Sequence, residues 1–239
     1  MVDIGAIQHD WAAKRQRQAS YVGARRSGVI ILADISGYTE LLTSTQAETS
    51  ARIAHHLTGR VFDATTEAFI VNEIEGDALF VYAVEPPGGP ELFKATLVQL
   101  EAYADAFYHA MEELSWSNLK DDPNLRPLLS RVSMKFIVHA GHWVFDEIGP
   151  FVKLVGADVI LAHRLLKNQV QSDSYFLMTK PFLALSGDAE QAKVVAQIEE
   201  IKHFGSVDVG VREFDYQAEH AARHGTSHDH LTRKSGVTI

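Results

Sequence analysis

The sequence has 239 residues, enough for one large domain or two small ones, and 46% hydrophobic with 22% charged residues is a globular composition. A net charge of −9 argues against general nucleic-acid binding, and the absence of cysteine excludes disulfides and thiolate chemistry. No apolar run approaches the roughly 20 residues of a membrane-spanning helix. The N-terminus lacks the order of charges of a signal peptide, so we expect a cytoplasmic protein.

The chain divides into three predicted regions. Residues 1–26 are locally basic and predict a short helix over residues 8–21, which we interpret as an appendage. No linker interrupts residues 27–216, so we expect one domain there. Residues 217–239 predict a flexible polar tail. Its histidines could also bind a transition metal if the tail were helical; they are His220, His224, His228 and His230.

The first strong element is an apolar run at residues 29–33 that ends at Asp34. Ile35, Ser36 and Gly37 follow, and then a helical pattern begins. A carboxylate at the end of a buried strand is held rigidly, which suits a hard metal ion. A turn or helix-capping aspartate fits the same pattern, so this stretch alone leaves both interpretations open.

Helical patterns at residues 38–56 and 57–68 lead into two apolar strands at residues 69–74 and 78–83. The short turn between these strands contains Gly76 and predicts a β-hairpin with Asp77 at its tip. The later elements are expected as a helix at 91–114, a loop at 115–128, a strand at 131–138 with a second hairpin arm at 142–148, a strand at 151–154, a helix at 156–169, a strand at 175–178, a helix at 180–185 and a strand at 207–216.

This order predicts an α+β domain with a mixed, mainly antiparallel sheet and helices on one face. In a ferredoxin-like arrangement the first strand is central and the hairpin lies beside it, so Asp34 and Asp77 would face each other. Two carboxylates and the backbone carbonyl of Ile35 would hold one or two Mg²⁺ or Mn²⁺ ions, completed by phosphates. The pattern therefore indicates nucleoside triphosphate chemistry.

Three segments in this region resemble the class III adenylate and guanylate cyclases. The first is LADISGYTEL at residues 32–41, and the second is NEIEGDAL at residues 72–79. The third is FIVHAG at residues 136–141, followed by VG at 155–156 and VILAHRL at 159–165. They keep the family's order over residues 27–216, and motif matches of this kind are hypotheses for the structure to test.

The resemblance implies a ferredoxin-like cyclase homology domain that forms a homodimer with sites at the shared interface. One subunit would supply Asp34, Asp77 and the Ile35 carbonyl for two Mg²⁺ or Mn²⁺ ions, and the other would supply Arg164 for the transition state. Two positions depart from the family. Ile160 replaces its asparagine, and no lysine lies at residues 205–210, although Arg212 or Lys202 could substitute.

Base recognition would fall to Glu73 and Lys153, which is an unusual pair for this family. Glu73 accepts hydrogen bonds and Lys153 donates them, so together they complement the donors and O6 of guanine. Adenine could meet the pair in another pose. The two side chains could also form an ion pair that reads no ligand.

Two functions follow from the resemblance. The first is a divergent nucleotidyl cyclase of a signalling system, which converts a purine nucleoside triphosphate, with GTP favoured over ATP, to a 3′,5′-cyclic nucleotide and pyrophosphate. The alternative is a catalytically weak or inactive domain that binds nucleotide as a regulatory or interaction module. Asp34, Asp77 and Arg164 favour the enzyme, whereas Ile160 and the missing lysine favour the module.

Overall fold

One mixed sheet organises the computed structural model, which describes residues 13–85, 89–116, 125–186 and 193–216. Within these residues the sheet has eight strands in the order β2-β3-β1-β4-β6-β8-β7, with β5 paired to β4. Only the β4–β6 pair is parallel among these described strands. The strands are β1 (Arg25–Ser36), β2 (Ile70–Glu75), β3 (Ala78–Val84), β4 (Ser133–Ile148), β5 (Phe151–Val155), β6 (Tyr175–Thr179), β7 (Val195–Ile201) and β8 (Gly205–Glu213).

Strand β1 lies between β3 and β4 and is covered on both faces, which explains its continuous apolar run. Ile31 packs into an apolar cluster on one face of the sheet, and Ile30 and Leu32 pack into a second cluster on the other. Asp34 follows this alternation and lies on the face of Leu32. The strand continues to Ser36, so Asp34 lies near its end rather than at its tip.

Helices cover both faces of the sheet, where the sequence led us to expect one. The helices are α1 (Tyr38–Thr43), α2 (Ala47–Asp63), α3 (Gly89–Trp116), α4 (Leu125–Leu129), α5 (Ala157–Leu165) and α6 (Lys180–Leu183). Helices α2 and α3 pack on the face of Ile31, whereas α5 packs on the face of Leu32 through Val159, Ala162 and Leu165. The sheet therefore separates the Asp34 face, which carries the short α5, from the main helical layer of α2 and α3.

Several predicted boundaries were wrong. Helix α4 begins at Leu125, inside the loop expected at residues 115–128, and α2 ends at Asp63, before the expected end at residue 68. Helix α1 ends at Thr43 and α2 begins at Ala47, so the break precedes the predicted one near residue 56. Strand β4 runs without a turn from Ser133 to Ile148, although Gly141 suggested a hairpin. A Cβ atom on Gly141 would come within 2.6 Å of the Asp158 side chain, so this glycine permits close packing.

Residues 13–19 are helical, and Tyr21 packs against Phe145 at 5.1 Å between ring centroids. The first part of the predicted N-terminal helix and the histidine-containing tail lie outside the described residues. No helix in the described part of the chain is long and apolar enough to cross a membrane.

Candidate functional site

Three polar residues form a row across neighbouring strands on the α5 face of the sheet. Asp34 of β1 lies opposite Lys135 of β4, and Lys135 lies opposite Tyr175 of β6. The Lys135 Nζ atom is 3.0 Å from the Asp34 Oδ2 atom, and both side chains are mostly buried. Strand register therefore fixes the predicted metal ligand Asp34 against a lysine.

Asp77 approaches this row from the turn between β2 and β3, directly after Gly76, whose φ is 67°. Burial raises the pKa of the Asp77 carboxyl, and the nearby charge of Asp34 raises it further, whereas Lys135 opposes the shift. The hairpin thus brings Asp34 and Asp77 within electrostatic reach of each other. The Ile35 side chain is buried in the opposite cluster, so only its backbone could contribute a ligand.

Lys135 is the residue of this cluster that the sequence analysis missed. Burial disfavours its ammonium charge, but the hydrogen bond and charge of Asp34 outweigh that effect, and the pKa of Lys135 is raised. One signal was available in the sequence. Lys135 is a charged residue in the apolar stretch of β4 between Met134 and Val138, and such a residue needs a partner.

The donor set of the cluster fits a hard divalent cation when further anionic ligands are present. Asp34 and Asp77 offer carboxylate oxygens, which Mg²⁺ and Mn²⁺ prefer. With Lys135 the three side chains carry a net charge of −1. No group of three or more His, Asp or Glu side chains that could hold a metal occurs among the described residues. Phosphate oxygens would therefore have to complete the coordination.

The two predicted base-reading residues pair with each other. A β-bulge between Val71 and Glu73 shifts the register of β2 and turns Glu73 toward β5. There the Glu73 Oε2 atom accepts a 2.6 Å hydrogen bond from Lys153 Nζ, and its Oε1 atom accepts one from Asn72 at 3.2 Å. Both partners of the ion pair are about one third exposed, so a ligand could reach them.

Arg164 and Ile160 lie one turn apart on the exposed side of α5. Ile160 is 52% exposed, although it is a large apolar side chain. Among the described residues the Arg164 side chain has no ion pair or hydrogen bond, so the structure does not join it to Asp34 or Asp77. The neighbouring His163 anchors the helix by pairing with Glu75 at 3.3 Å.

The two suggested substitutes for the missing lysine do not join the cluster. Arg212 stacks over the Phe176 ring at 4.7 Å, on the sheet face opposite Asp34. Lys202 is exposed beyond the end of β7. In the described part of the chain, Lys135 is therefore the cationic side chain that lies beside Asp34 and Asp77.

The β4–β5 turn carries an exposed apolar surface, which we call the arm. Its members include Ile148 and Phe151, which are 61% and 63% exposed, and Val155. Ile160 of α5 is also exposed and follows β5 closely in the chain. Exposed apolar side chains in this number indicate a contact surface.

Solved structures with a similar fold are class III cyclase domains. The guanylyl cyclase Cya2 aligns with a TM-score of 0.65 at 18% identity, covering 81% of this chain and 95% of that one. The adenylyl cyclase CyaB from P. aeruginosa gives 0.62 at 14% identity, covering 80% and 96%. A class III adenylyl cyclase-like ATP-binding protein from Pseudomonas aeruginosa gives 0.53 at 14%, covering 71% and 37%. These likenesses confirm the α+β cyclase fold that the sequence predicted.

Sequence relatives carry less information. The uncharacterized protein Rv2561/Rv2562 of Mycobacterium tuberculosis is 44% identical over 48 residues, which are 20% of this chain and 23% of that protein. The match therefore spans less than a quarter of that relative. A family model described as "Protein of unknown function (DUF2652)" matches residues 54–175, just over half of the 239 residues. The protein belongs to this family and has the fold of a class III cyclase domain.

Proposed function

We propose that the protein is a divergent nucleotidyl cyclase that converts a purine nucleoside triphosphate to a 3′,5′-cyclic nucleotide and pyrophosphate. The observation that carries this proposal is the meeting of Asp34, Asp77 and Lys135 within a cyclase fold. Two carboxylates beside one ammonium group suit a triphosphate that arrives with divalent cations, because each anionic group then lies beside a cation.

Each residue of the cluster has a distinct role in this proposal. Asp34, Asp77 and the Ile35 carbonyl would hold two Mg²⁺ or Mn²⁺ ions, which supply charge neutralisation and make the ribose 3′-hydroxyl more acidic. Lys135 lies beside the carboxylates and donates to phosphate oxygens. The 3′-oxygen attacks the α-phosphorus and loses its proton to solvent while the bond to the β-phosphate oxygen breaks. Pyrophosphate leaves with that electron pair.

A homodimer would complete the site. The Arg164 side chain is exposed on α5, and the arm of Ile148 and Phe151 offers an apolar surface beyond the same helix. If a second copy covers the arm, its Arg164 can reach the phosphates of the first copy and stabilise the charge that develops there. This arrangement explains why a transition-state arginine has no partner within the described part of one chain.

We favour GTP over ATP as the substrate. The Glu73 carboxylate can accept hydrogen bonds from the N1 and N2 groups of guanine, and Lys153 can donate to O6. The pair is formed and partly exposed without a ligand, so binding would exchange one set of charge-assisted hydrogen bonds for another.

One observation favours the alternative of a catalytically weak or inactive nucleotide-binding module. Ile160 is 52% exposed on the side of α5 that carries Arg164, and an isoleucine cannot donate a hydrogen bond to ribose or phosphate. Such a domain would bind nucleotide and metal through Asp34 and Asp77 but turn over slowly.

One assay separates the two functions. The full chain is incubated with Mn²⁺ and each of the four nucleoside triphosphates, and cyclic product and pyrophosphate are measured together. We expect both products in equal amounts, with GTP the preferred substrate. Metal-dependent nucleotide binding without any product would reject the enzyme and leave the module, and no binding at all would reject both.

A further inference from the structure

A cavity of about 560 Å³ opens between α2 and the β2–β3 hairpin, outside the cluster of Asp34 and Asp77. Apolar groups form most of its wall, among them Tyr38, Phe62, Val71 and Ile74. Cavities that bind small molecules have volumes of roughly 300–1,000 Å³ and mainly apolar walls with a few polar groups. The size and the lining therefore suit a small organic molecule.

Gly59 lies within α2 and borders this cavity. Glycine is a poor helix former, since it gains more backbone freedom in the unfolded chain than any other residue. A Cβ atom added to Gly59 would meet nothing within 4 Å, so neither packing nor an unusual φ requires glycine here. What the glycine does provide is open space on the cavity wall.

Asn72, in the bulge of β2, and the neighbouring Glu73 supply polar groups of the opposite wall. Its Nδ2 group donates to Glu73 Oε1 at 3.2 Å, whereas its Oδ1 atom is buried and accepts no hydrogen bond from any described residue. A buried acceptor without a donor destabilises the folded protein. Because the Oδ1 atom has almost no accessible surface, the Asn72 amide has to turn toward the cavity before a ligand can donate to it, and that hydrogen bond then relieves the cost.

The lining disfavours a charged ligand. No lysine or arginine is among the described residues of the wall, so an anion has no cationic partner there beyond the exposed His55. A cation would have to displace Lys153 from Glu73, which is the carboxylate of the wall. Aromatic rings of Tyr38 and Phe62 favour a flat apolar molecule. We propose that this cavity binds an uncharged aromatic small molecule whose N–H or O–H group donates to the Asn72 Oδ1 atom.

The position of the cavity gives such a ligand access to both halves of the candidate site. Asn72 is hydrogen bonded to Glu73, which pairs with Lys153, and Gly76 on the cavity rim directly precedes Asp77. Glu73 itself lines the cavity, so an effector bound here would contact the proposed base-reading pair directly and would also contact the turn that carries Asp77. The binding itself goes beyond the proposed function and does not depend on it.

The test uses N-phenyl-1-naphthylamine, an uncharged probe with one N–H group whose fluorescence rises in apolar surroundings. The full chain is titrated without nucleotide, and we expect a dissociation constant on the order of 10–100 μM for a ligand of this size. Gly59→Leu should fill the cavity and weaken binding at least tenfold, while the helix itself becomes no less stable. Ala51→Leu adds the same side chain to an exposed position of α2 and should leave binding unchanged.

A second comparison tests the hydrogen bond. The N-methylated probe lacks the donor and should bind the natural chain about fivefold more weakly than the parent probe. With Asn72→Ala the two probes should bind equally. Undiminished binding to Gly59→Leu, or no binding to the natural chain, would overturn the cavity proposal, and equal affinity of both probes for the natural chain would overturn the role of Asn72.

Discussion

The cluster of Asp34, Asp77 and Lys135 differs from the pair of Glu73 and Lys153 in how the fold fixes it. Opposite positions on β1 and β4 hold Asp34 and Lys135, and the turn after Gly76 delivers Asp77 to them. Glu73 and Lys153 instead meet between a bulge in β2 and the short strand β5, and both are about one third exposed. The first group is mostly buried at Asp34 and Lys135, whereas the second keeps part of both side chains open to solvent.

This difference indicates where variation is tolerated in such a domain. A change at Asp34 would leave Lys135 mostly buried and unpaired, so the fold itself resists losing the cluster. Exposed side chains such as Ile160 and Arg164 carry no comparable structural constraint, because burial within the described chain does not fix them. The fold therefore constrains the proposed metal and phosphate half more than Ile160 and Arg164, which belong to the proposed transition-state half.

The substitution with the largest expected effect removes the charge of Asp34 from the cluster. Asp34→Asn keeps the size of the side chain but removes its charge, so we expect cyclic-product formation with Mn²⁺ to fall by about 100-fold or more. Product is quantified by chromatography. Asp208→Asn changes an exposed carboxylate that pairs with Lys180 at 3.0 Å, and it should leave the rate unchanged. Full activity of Asp34→Asn would show that this cluster does not hold the metal.

Replacing Lys135 tests how its positive charge offsets the carboxylates of the cluster. Lys135→Met removes a positive charge next to Asp34, so in the absence of nucleotide we expect Mn²⁺ to bind about tenfold more tightly. Nucleotide affinity should fall, because the phosphates lose a partner. Free Mn²⁺ is measured by electron paramagnetic resonance. The matched control is Lys180→Met at the exposed pair, and a variant of Lys135 that behaves like this control would contradict the role of Lys135.

An exchange of the base-reading pair tests the other half. Glu73→Lys combined with Lys153→Asp reverses the donor and acceptor positions, so we expect the ratio of GTP to ATP affinity to fall by about fivefold. Competition binding of the two nucleotides to the full chain gives this ratio. Each single substitution serves as a control, because it breaks the ion pair without reversing it. An unchanged ratio in the double variant would mean that the pair is structural.

The sequence predicted the elements whose signal is local. The strand that contains the apolar run before Asp34 and the hairpin around Gly76 both form as predicted. Strand periodicity and turn residues depend only on neighbouring positions in the sequence. From these two elements the proximity of Asp34 and Asp77 followed. The order of three short motifs was enough to predict the cyclase fold.

The features that sequence reasoning missed depend on contacts between distant segments. Lys135 became part of the site only through its register with Asp34, and register between remote strands is set by the whole sheet. The turn expected between residues 138 and 142 is replaced by continuous strand, in which Gly141 makes room for Asp158 on another element. The bulge that turns Glu73 toward Lys153 likewise has no marker in the sequence of β2.

The smallest expected effect separates folding from function within the cluster. Burial and the charge of Asp34 raise the pKa of Asp77, so its ionised form destabilises the folded protein at neutral pH, and this cost disappears as the pH falls through the raised pKa. Asp77→Asn should therefore increase the free energy of unfolding at pH 7 without metal, by less than about 1 kcal/mol after solvent screening. The gain should shrink at acidic pH. Urea unfolding with a chelator present measures both values, and Asp208→Asn should show no such gain.

Adding Mn²⁺ and nucleotide should then increase the free energy of unfolding of the natural chain more than that of Asp77→Asn. The bound cations would offset the repulsion between the Asp34 and Asp77 carboxylates, which the variant no longer has.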